Sequence, residues 1–199
     1  MHFANQTILP AVRNMKDFEE LMTRDLAYII LLETHLAQLP SLVRIAKKNE
    51  KKLILHADLI QGLKHDEAAT QFLCQMVQPA GIISTHATVI ATAKKNRVLA
   101  IQRVFLIDSH SLQTSYRVLQ HSKPDYLEVL PGVLPNIIQE VRSSTDIPVL
   151  AGGFIRTREE VDAVVAVGAT AITTSRKELW DYDVKPKDAR ASAHQSRLD

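Results

Sequence analysis

The chain has 199 residues, of which 46% are apolar and 23% charged, with a net charge of +2. This is the composition of one ordinary globular domain with a core of its own, and it excludes a disordered, collagen-like or disulfide-stapled chain. The single cysteine, Cys74, excludes an internal disulfide and a thiolate zinc site, and it reads as a small hydrophobe in a helix. The first residues lack a basic stretch followed by an apolar one, so no signal peptide is expected. No apolar run is long enough to span a bilayer, and the expected compartment is the cytoplasm.

Along the chain, short runs rich in Ile, Leu and Val alternate with helical patterns. Strands are predicted at Ile8–Val12, Tyr28–Leu32, Leu53–Ala57, Gly81–Ser84, Ile101–Ile107, Tyr126–Leu130, Pro148–Ala151 and Ala171–Thr174. Most are near-continuous rather than alternating, as strands covered on both faces are. Helices are predicted over Glu67–Val77, Leu112–Leu119, Leu134–Arg142 and Glu159–Val167, with a short one at Lys177–Trp180. In the first of these, Ala69, Phe72, Leu73 and Met76 fall on one apolar stripe. Thr157 and Glu160 have the spacing of a capping box.

Eight even strand–helix units, each about 21 residues long, favour a compact α/β domain of (β/α)8 TIM-barrel-like form over an open sheet. The barrel is expected over residues 1–180, with a polar, flexible tail over 181–199. Of the six glycines, Gly81 and Gly168 stand at strand entrances, where a helix-ending turn favours positive φ. Gly62, Gly132, Gly152 and Gly153 follow strands, on the face where such barrels bind ligands.

The strongest local signal lies at the last two strands. Strand seven runs into Gly152-Gly153, and strand eight ends in Thr173-Thr174-Ser175 before the short helix. Barrels often cradle phosphate at this place, because backbone N–H groups and a helix start favour a dianion and small side chains leave room for it. Other polar residues stand where apolar strands stop: Arg13, Glu33, His56 and Asp58 (two apart on strand three), Arg103, Asp108 and Glu128. Arg13 and Glu33 have a bland reading as barrel-closing ions, His56 as a core histidine, and Asp108 as a helix cap. Glu128 sits inside an apolar strand and requires a partner there, such as Arg103, Arg13 or a ligand hydroxyl.

A catalytic reading is weaker. No lysine ends a strand, so a Schiff-base aldolase is not expected, and there is no HExxH, GxSxG or Walker motif. Glu33, His56, Asp58 and Glu128 have no specific metal-ligand spacing, and no metal is expected. The enzyme alternative is a phosphotriose or phosphopentose isomerase, an epimerase or a metal-dependent phosphodiesterase.

Five stretches in order, Ile8-Leu-Pro-Ala-Val-Arg-Asn14, His56-Ala-Asp-Leu-Ile-Gln-Gly62, Pro79-Ala-Gly-Ile-Ile-Ser-Thr85, Pro124-Asp-Tyr-Leu-Glu-Val-Leu-Pro-Gly132 and Ala151-Gly-Gly-Phe-Ile-Arg-Thr157 with Thr173-Thr-Ser175, resemble the bacterial glycerol uptake operon antiterminator regulatory proteins. The resemblance covers nearly all of 8–180. It implies a TIM-barrel-like regulator, not an enzyme, that responds to glycerol 3-phosphate, needs no cofactor and acts on leader mRNA of a glycerol-metabolism operon. It implies that Gly152, Gly153, Thr173, Thr174 and Ser175 hold the phosphate, and that Glu128, Asp58 and Glu33, with His56, Arg103 and Gly132 nearby, face the polyol. His86 stands where the family often carries Arg after Ser-Thr, which implies weaker or pH-dependent phosphate binding.

RNA binding is implied by the resemblance alone, since aromatic residues make up only 5% and no RNA-binding motif is present. Basic residues do cluster at two turns on the barrel face opposite the cradle. Lys47, Lys48, Lys51 and Lys52 form one group, and Lys94, Lys95 and Arg97 the other. They are the candidate RNA contacts, against the plain alternative that lysine suits helix C-termini. A ligand-driven switch would act on a conformational or homo-oligomeric equilibrium, and no membrane partner is expected.

Overall fold

Strands that are apolar on both sides need cover on both faces, and this chain provides it by closing the sheet on itself and ringing it with helices. The structure is a computed structural model and describes Phe3 and residues 6–184. Eight parallel strands form a closed barrel: β1 (Ile8–Val12), β2 (Tyr28–Leu31), β3 (Lys52–His56), β4 (Gly81–Ser84), β5 (Leu99–Phe105), β6 (Tyr126–Leu130), β7 (Val149–Gly152) and β8 (Ala171–Thr174), with β8 paired back to β1. Seven α-helices lie among the described residues: α1 (Met15–Met22), α2 (Leu39–Lys48), α3 (Glu67–Phe72), α4 (Ala87–Lys95), α5 (Ser109–Ser122), α6 (Pro135–Ser144) and α7 (Arg158–Ala166). A two-stranded ribbon, Thr34–His35 with Ile60–Gln61, joins the loops after β2 and β3.

The register keeps one side-chain parity inward around the whole barrel. Ala11 lies beside Ile30, Ile30 beside Ile54, Ile83 beside Ile101, Arg103 beside Glu128, and Gly152 beside Thr173. Leu9, Ile30, Ile54, Ile83, Ile101, Leu150 and Ala171 fill the interior as one buried cluster. Phe3 joins it at the N-terminal end of the strands. It packs edge-on against Tyr28, with centroids 5.1 Å apart, and against Tyr126 at 4.7 Å. Two further apolar clusters lie between sheet and helices, one built on Phe18, Leu21, Leu42, Leu73 and Trp180, the other on Leu127, Ile138, Val161 and Leu179.

Helix starts follow local chemistry. Asn14 and Asp66 accept from the third amide of α1 and α3. Asp108 with Ser111 and Thr157 with Glu160 form capping boxes on α5 and α7. Asp108 is therefore a cap, the plainer of its two readings.

Four local expectations are corrected. The Glu67–Val77 helix is α only to Phe72 and ends in a π-turn, Leu73–Val77. Its buried side chains are Thr70, Leu73, Cys74 and Val77, whereas Phe72 and Met76 are exposed, because the wider π-turn rotates the later residues off the 3.6-residue stripe. Gly81 does not have positive φ, since Gln78 makes the left-handed turn at φ 56°; Gly81 instead admits Leu99 across the β4–β5 pair, where an added Cβ would lie 3.2 Å from the Leu99 side chain. Strand five is Leu99–Phe105, displaced towards its N-terminus, and Ile107 is left exposed in the loop. Asp58 lies in a 3₁₀ turn after β3, not on the strand with His56.

Gly168 does carry positive φ, at 103°. Cys74 is buried in an apolar setting that pushes its thiol up to about 11, so it is an unreactive core residue. No described helix is long and apolar enough to cross a membrane. Of the segment expected as a tail, Tyr182 packs on α7 through a hydrogen bond to Asp162 at 2.8 Å, and 185–199 lie outside the described residues.

Trp180 closes the exit of β8. It is 1% exposed and donates from Nε1 to the Thr174 carbonyl at 3.2 Å. Trp180→Ala is expected to destabilise the fold by about 3–5 kcal/mol in urea unfolding, the loss typical of truncating a buried aromatic. A loss below about 1 kcal/mol would show that β8 does not depend on this anchor.

Candidate functional site

At the C-terminal ends of the strands the inward parity changes character. Below lie aliphatic residues; above them the next inward positions carry His56, Arg103, Glu128, Gly152 and Thr173. Glu128 is fully buried and receives Arg103 Nε on Oε2 and Thr173 Oγ1 on Oε1, both at 2.6 Å. A buried carboxylate needs this much compensation. The pairing leaves the rest of the Arg103 guanidinium free to face the mouth, its side chain only 12% exposed.

Above this network lies a cavity of about 250 Å³, lined by Arg13, Arg103, Glu128, Gly153, Phe154, Arg156, Thr173, Thr174, Ser175 and Arg176 among others. Four arginines thus border a small space whose lining carboxylate, Glu128, is already paired with Arg103, while Arg13 is itself held by Glu33 at the rim. Pockets for drug-sized ligands measure roughly 300–1,000 Å³, so this one suits a metabolite of few atoms. Two consecutive residues of its wall, Gly153 and Phe154, hold positive φ, at 78° and 62°. Phe154 is a strained choice for that conformation and is two-thirds exposed, with Arg156 over its ring at 5.9 Å.

The residues expected to hold phosphate fall together here. Gly153, Thr173, Thr174 and Ser175 line the cavity, and Gly152 lies just beneath, where an added Cβ would run into the Thr173 hydroxyl and the Glu128 carboxylate. Of the residues expected to face the polyol, Arg103 and Glu128 line it as well. Gly132 does not. It packs behind β7, donating its amide to the Gly152 carbonyl, at a distance that admits no side chain. Glu33 pairs with Arg13 in an adjacent groove. Asp58 turns towards β4, accepting from Ser84 Oγ and from the Thr85 amide and hydroxyl. Burial pulls the Asp58 carboxyl upward, but those hydrogen bonds more than offset it and leave it below its usual value.

Arg156 and Arg176 also border the cavity, and strand-end patterning does not single them out. Each follows a flagged motif, Gly152-Gly153 or Thr173-Thr174-Ser175, by one to three residues, and a basic residue so close to a cradle was the available signal. Helix α7 contributes less than a helix start normally would, because Glu160 takes the amides of Arg156 and Thr157. Positive charge at this mouth therefore comes chiefly from side chains.

On the opposite face, Lys51 donates to the Arg24 carbonyl, Lys52 sits over Tyr28 at 4.9 Å and Lys94 pairs with Asp125. Lys47, Lys48, Lys95 and Arg97 are exposed and make no ion pair with a described residue.

Together, the closed barrel and the four-arginine mouth define a (β/α)8 protein with one small cationic pocket at the C-terminal ends of its strands. Residues 8–180 match the family described as glycerol-3-phosphate responsive antiterminator, and the chain belongs to that family. A solved structure of the glycerol uptake operon antiterminator regulatory protein of Listeria monocytogenes is 47% identical, with a TM-score of 0.90 over 92% of this chain and 99% of that one. A glycerol uptake operon antiterminator-related protein of Thermotoga maritima is 27% identical, with a TM-score of 0.79 over 89% and 99%. The uncharacterized protein YgcP of Escherichia coli K12 is 26% identical over 90% of this chain and 95% of its own length.

The charged layer carries a pH signature. Burial, with help from the Arg103 charge, pushes His56 from its usual 6.5 down to about 4. Folding thus favours the neutral imidazole. The stability this gives is present above pH 6.5 and is lost as pH falls towards 4. Urea unfolding at pH 7.5 and pH 5 is expected to cost the wild type about 2 kcal/mol more than a His56→Gln variant over the same interval. Equal pH slopes for the two proteins would refute the assignment.

Proposed function

We propose that this protein binds glycerol 3-phosphate in the four-arginine cavity and, when loaded, binds and stabilises leader mRNA of a glycerol-metabolism operon so that transcription passes the terminator. The observation that carries the reading is a 250 Å³ pocket bordered by Arg13, Arg103, Arg156 and Arg176, where Glu128 and Glu33 pair with Arg103 and Arg13 and offset only two of the four charges. A phosphate dianion supplies the charge such a pocket lacks, and guanidinium groups match its oxygens geometrically. The Thr173, Thr174 and Ser175 hydroxyls add donors beside it, and Gly153 lets the ligand approach the backbone. Glu128 acts chiefly to hold Arg103 in place.

The role is regulatory rather than catalytic. The two carboxylates best placed for acid–base chemistry, Glu128 and Asp58, are both engaged in internal hydrogen bonds. RNA is assigned to the exposed cations Lys47, Lys48, Lys95 and Arg97, with Lys51 and Lys94 beside them, on the face away from the pocket. The effector must prefer the RNA-competent state over the other, since equal affinity for both would shift nothing.

Calorimetry with glycerol 3-phosphate tests the pocket. Arg156→Ala and Arg176→Ala are each expected to weaken binding roughly tenfold or more, the effect of losing one charge-assisted contact of about 1.5–3 kcal/mol. Gly153→Asp, which sets a carboxylate against the dianion, is expected to abolish it. Unchanged affinity in all three variants would place the ligand elsewhere.

Leader-transcript binding tests the output. The wild type is expected to bind more tightly with glycerol 3-phosphate, and Gly153→Asp to show no enhancement. A Lys47→Glu, Lys48→Glu, Lys94→Glu, Lys95→Glu variant is expected to bind more weakly and with a shallower salt dependence. RNA affinity unaffected by that variant would remove this face as the contact.

A further inference from the structure

We propose that Asp58, His65 and His86 form a binding site for a divalent transition-metal ion of the zinc class. The site lies on the same end of the barrel as the cationic pocket but on the other side of the mouth, where the loops after β3 and β4 meet. It does not depend on the assignment of glycerol 3-phosphate to the arginines.

One ligand atom from each of the three residues can be chosen so that all lie within 4.8 Å of one another. A zinc ion with bonds of about 2.0–2.2 Å needs donors roughly 3–4 Å apart, a spacing the three residues reach once the imidazoles reorient about their side-chain torsions. His86 is exposed and free to make that rotation. The His65 and His86 rings are stacked, centroids 4.5 Å apart and planes 18° apart, which brings their nitrogens close but leaves the in-plane lone pairs side by side, so the rings must unstack to aim at one ion. Neither ring makes a hydrogen bond or an ion pair with a described residue, so both keep a nitrogen lone pair to offer.

Asp58 is the fixed member. Its Oδ2 accepts the Thr85 amide and hydroxyl, each at 2.7 Å, and its Oδ1 accepts from Ser84 Oγ alone. Oδ1 therefore retains a lone pair, and the surrounding donors keep the carboxylate oriented as outer-sphere partners do around metal ligands.

Two imidazoles and one carboxylate are a borderline donor set, suited to zinc, cobalt, nickel or ferrous ions rather than to magnesium or calcium, which prefer all-oxygen shells. Three protein ligands leave at least one coordination position open to solvent. The residues come from the loop ahead of α3 and from the residue capping α4, so a bound ion would tie together two loops otherwise linked through Asp58.

The test is zinc titration of the full chain after chelator treatment and dialysis, with Co²⁺ absorption as a second readout of the coordination geometry. The wild type is expected to bind one zinc at micromolar or lower concentration and no magnesium. His65→Ala and His86→Ala are each expected to weaken zinc binding at least tenfold, while His110→Ala, at the exposed start of α5, leaves it unchanged. Circular dichroism establishes that each variant is folded. Absence of zinc binding by the wild type would overturn the proposal, and so would wild-type zinc affinity in either the His65 or the His86 variant. Glycerol 3-phosphate binding is measured in the same samples, so failure of the metal site and failure of the arginine pocket are read separately.

Discussion

The upper half of this barrel is organised by one buried ion pair. Glu128 is a carboxylate with no exposure, and it is tolerable only because Arg103 reaches it from the adjoining strand β5 and Thr173 from β8, across the small Gly152 of β7. The arrangement costs desolvation that a hydrophobic pair would not. In return it fixes a guanidinium at the floor of the mouth and ties β5, β6 and β8 into one unit. Gly152 is required for that closure, since any side chain there would occupy the space where the Thr173 hydroxyl meets Glu128. Gly132 is required in turn so that the loop after β6 can lie against Gly152. The mouth is thus built by a chain of close approaches, each of which demands a small residue beneath the next.

The barrel was legible from the sequence because it rests on strong, repeated signals. Apolar runs such as Tyr28–Leu31 and Ala171–Thr174 have no polar face to expose, and their even spacing suits a closed sheet. Capping chemistry at Thr157 and Asp108 marked helix starts in a few residues of text. Failures came where backbone geometry departs from the regular period. The π-turn at Leu73–Val77 moved Met76 to the surface, and the left-handed turn expected at Gly81 is made by Gln78. Nothing in a 3.6-residue pattern announces either change.

The mouth was legible by half. Gly153, Thr173, Thr174 and Ser175 were readable because small and hydroxylated residues at strand ends are uncommon in a core and useful beside an anion. The arginines at 156 and 176 carry no such signal, because a charged residue in a loop is ordinarily solvated and only the closed barrel brings both to the rim of one cavity. The polyol-facing group was dispersed by local partners. Glu33 has Arg13, and Asp58 has Ser84 and Thr85, so proximity to a strand end did not decide what each carboxylate faces. Conversely, the convergence of His65 and His86 on Asp58 joins positions 7 and 28 residues apart, with no spacing a motif search would notice.

Phe3, wedged between Tyr28 and Tyr126, has a consequence for how the molecule can transmit information. Phe3 is the last layer of a barrel interior packed solid by Leu9, Ile30, Ile54, Ile83, Ile101 and Leu150, so no solute entering among the arginines can pass through the middle to the opposite end. Any message from one end to the other must travel in the walls, as a change of strand tilt or a slide of the surrounding helices. The close-packed interior isoleucines and leucines leave no void into which a single wall residue could shift alone.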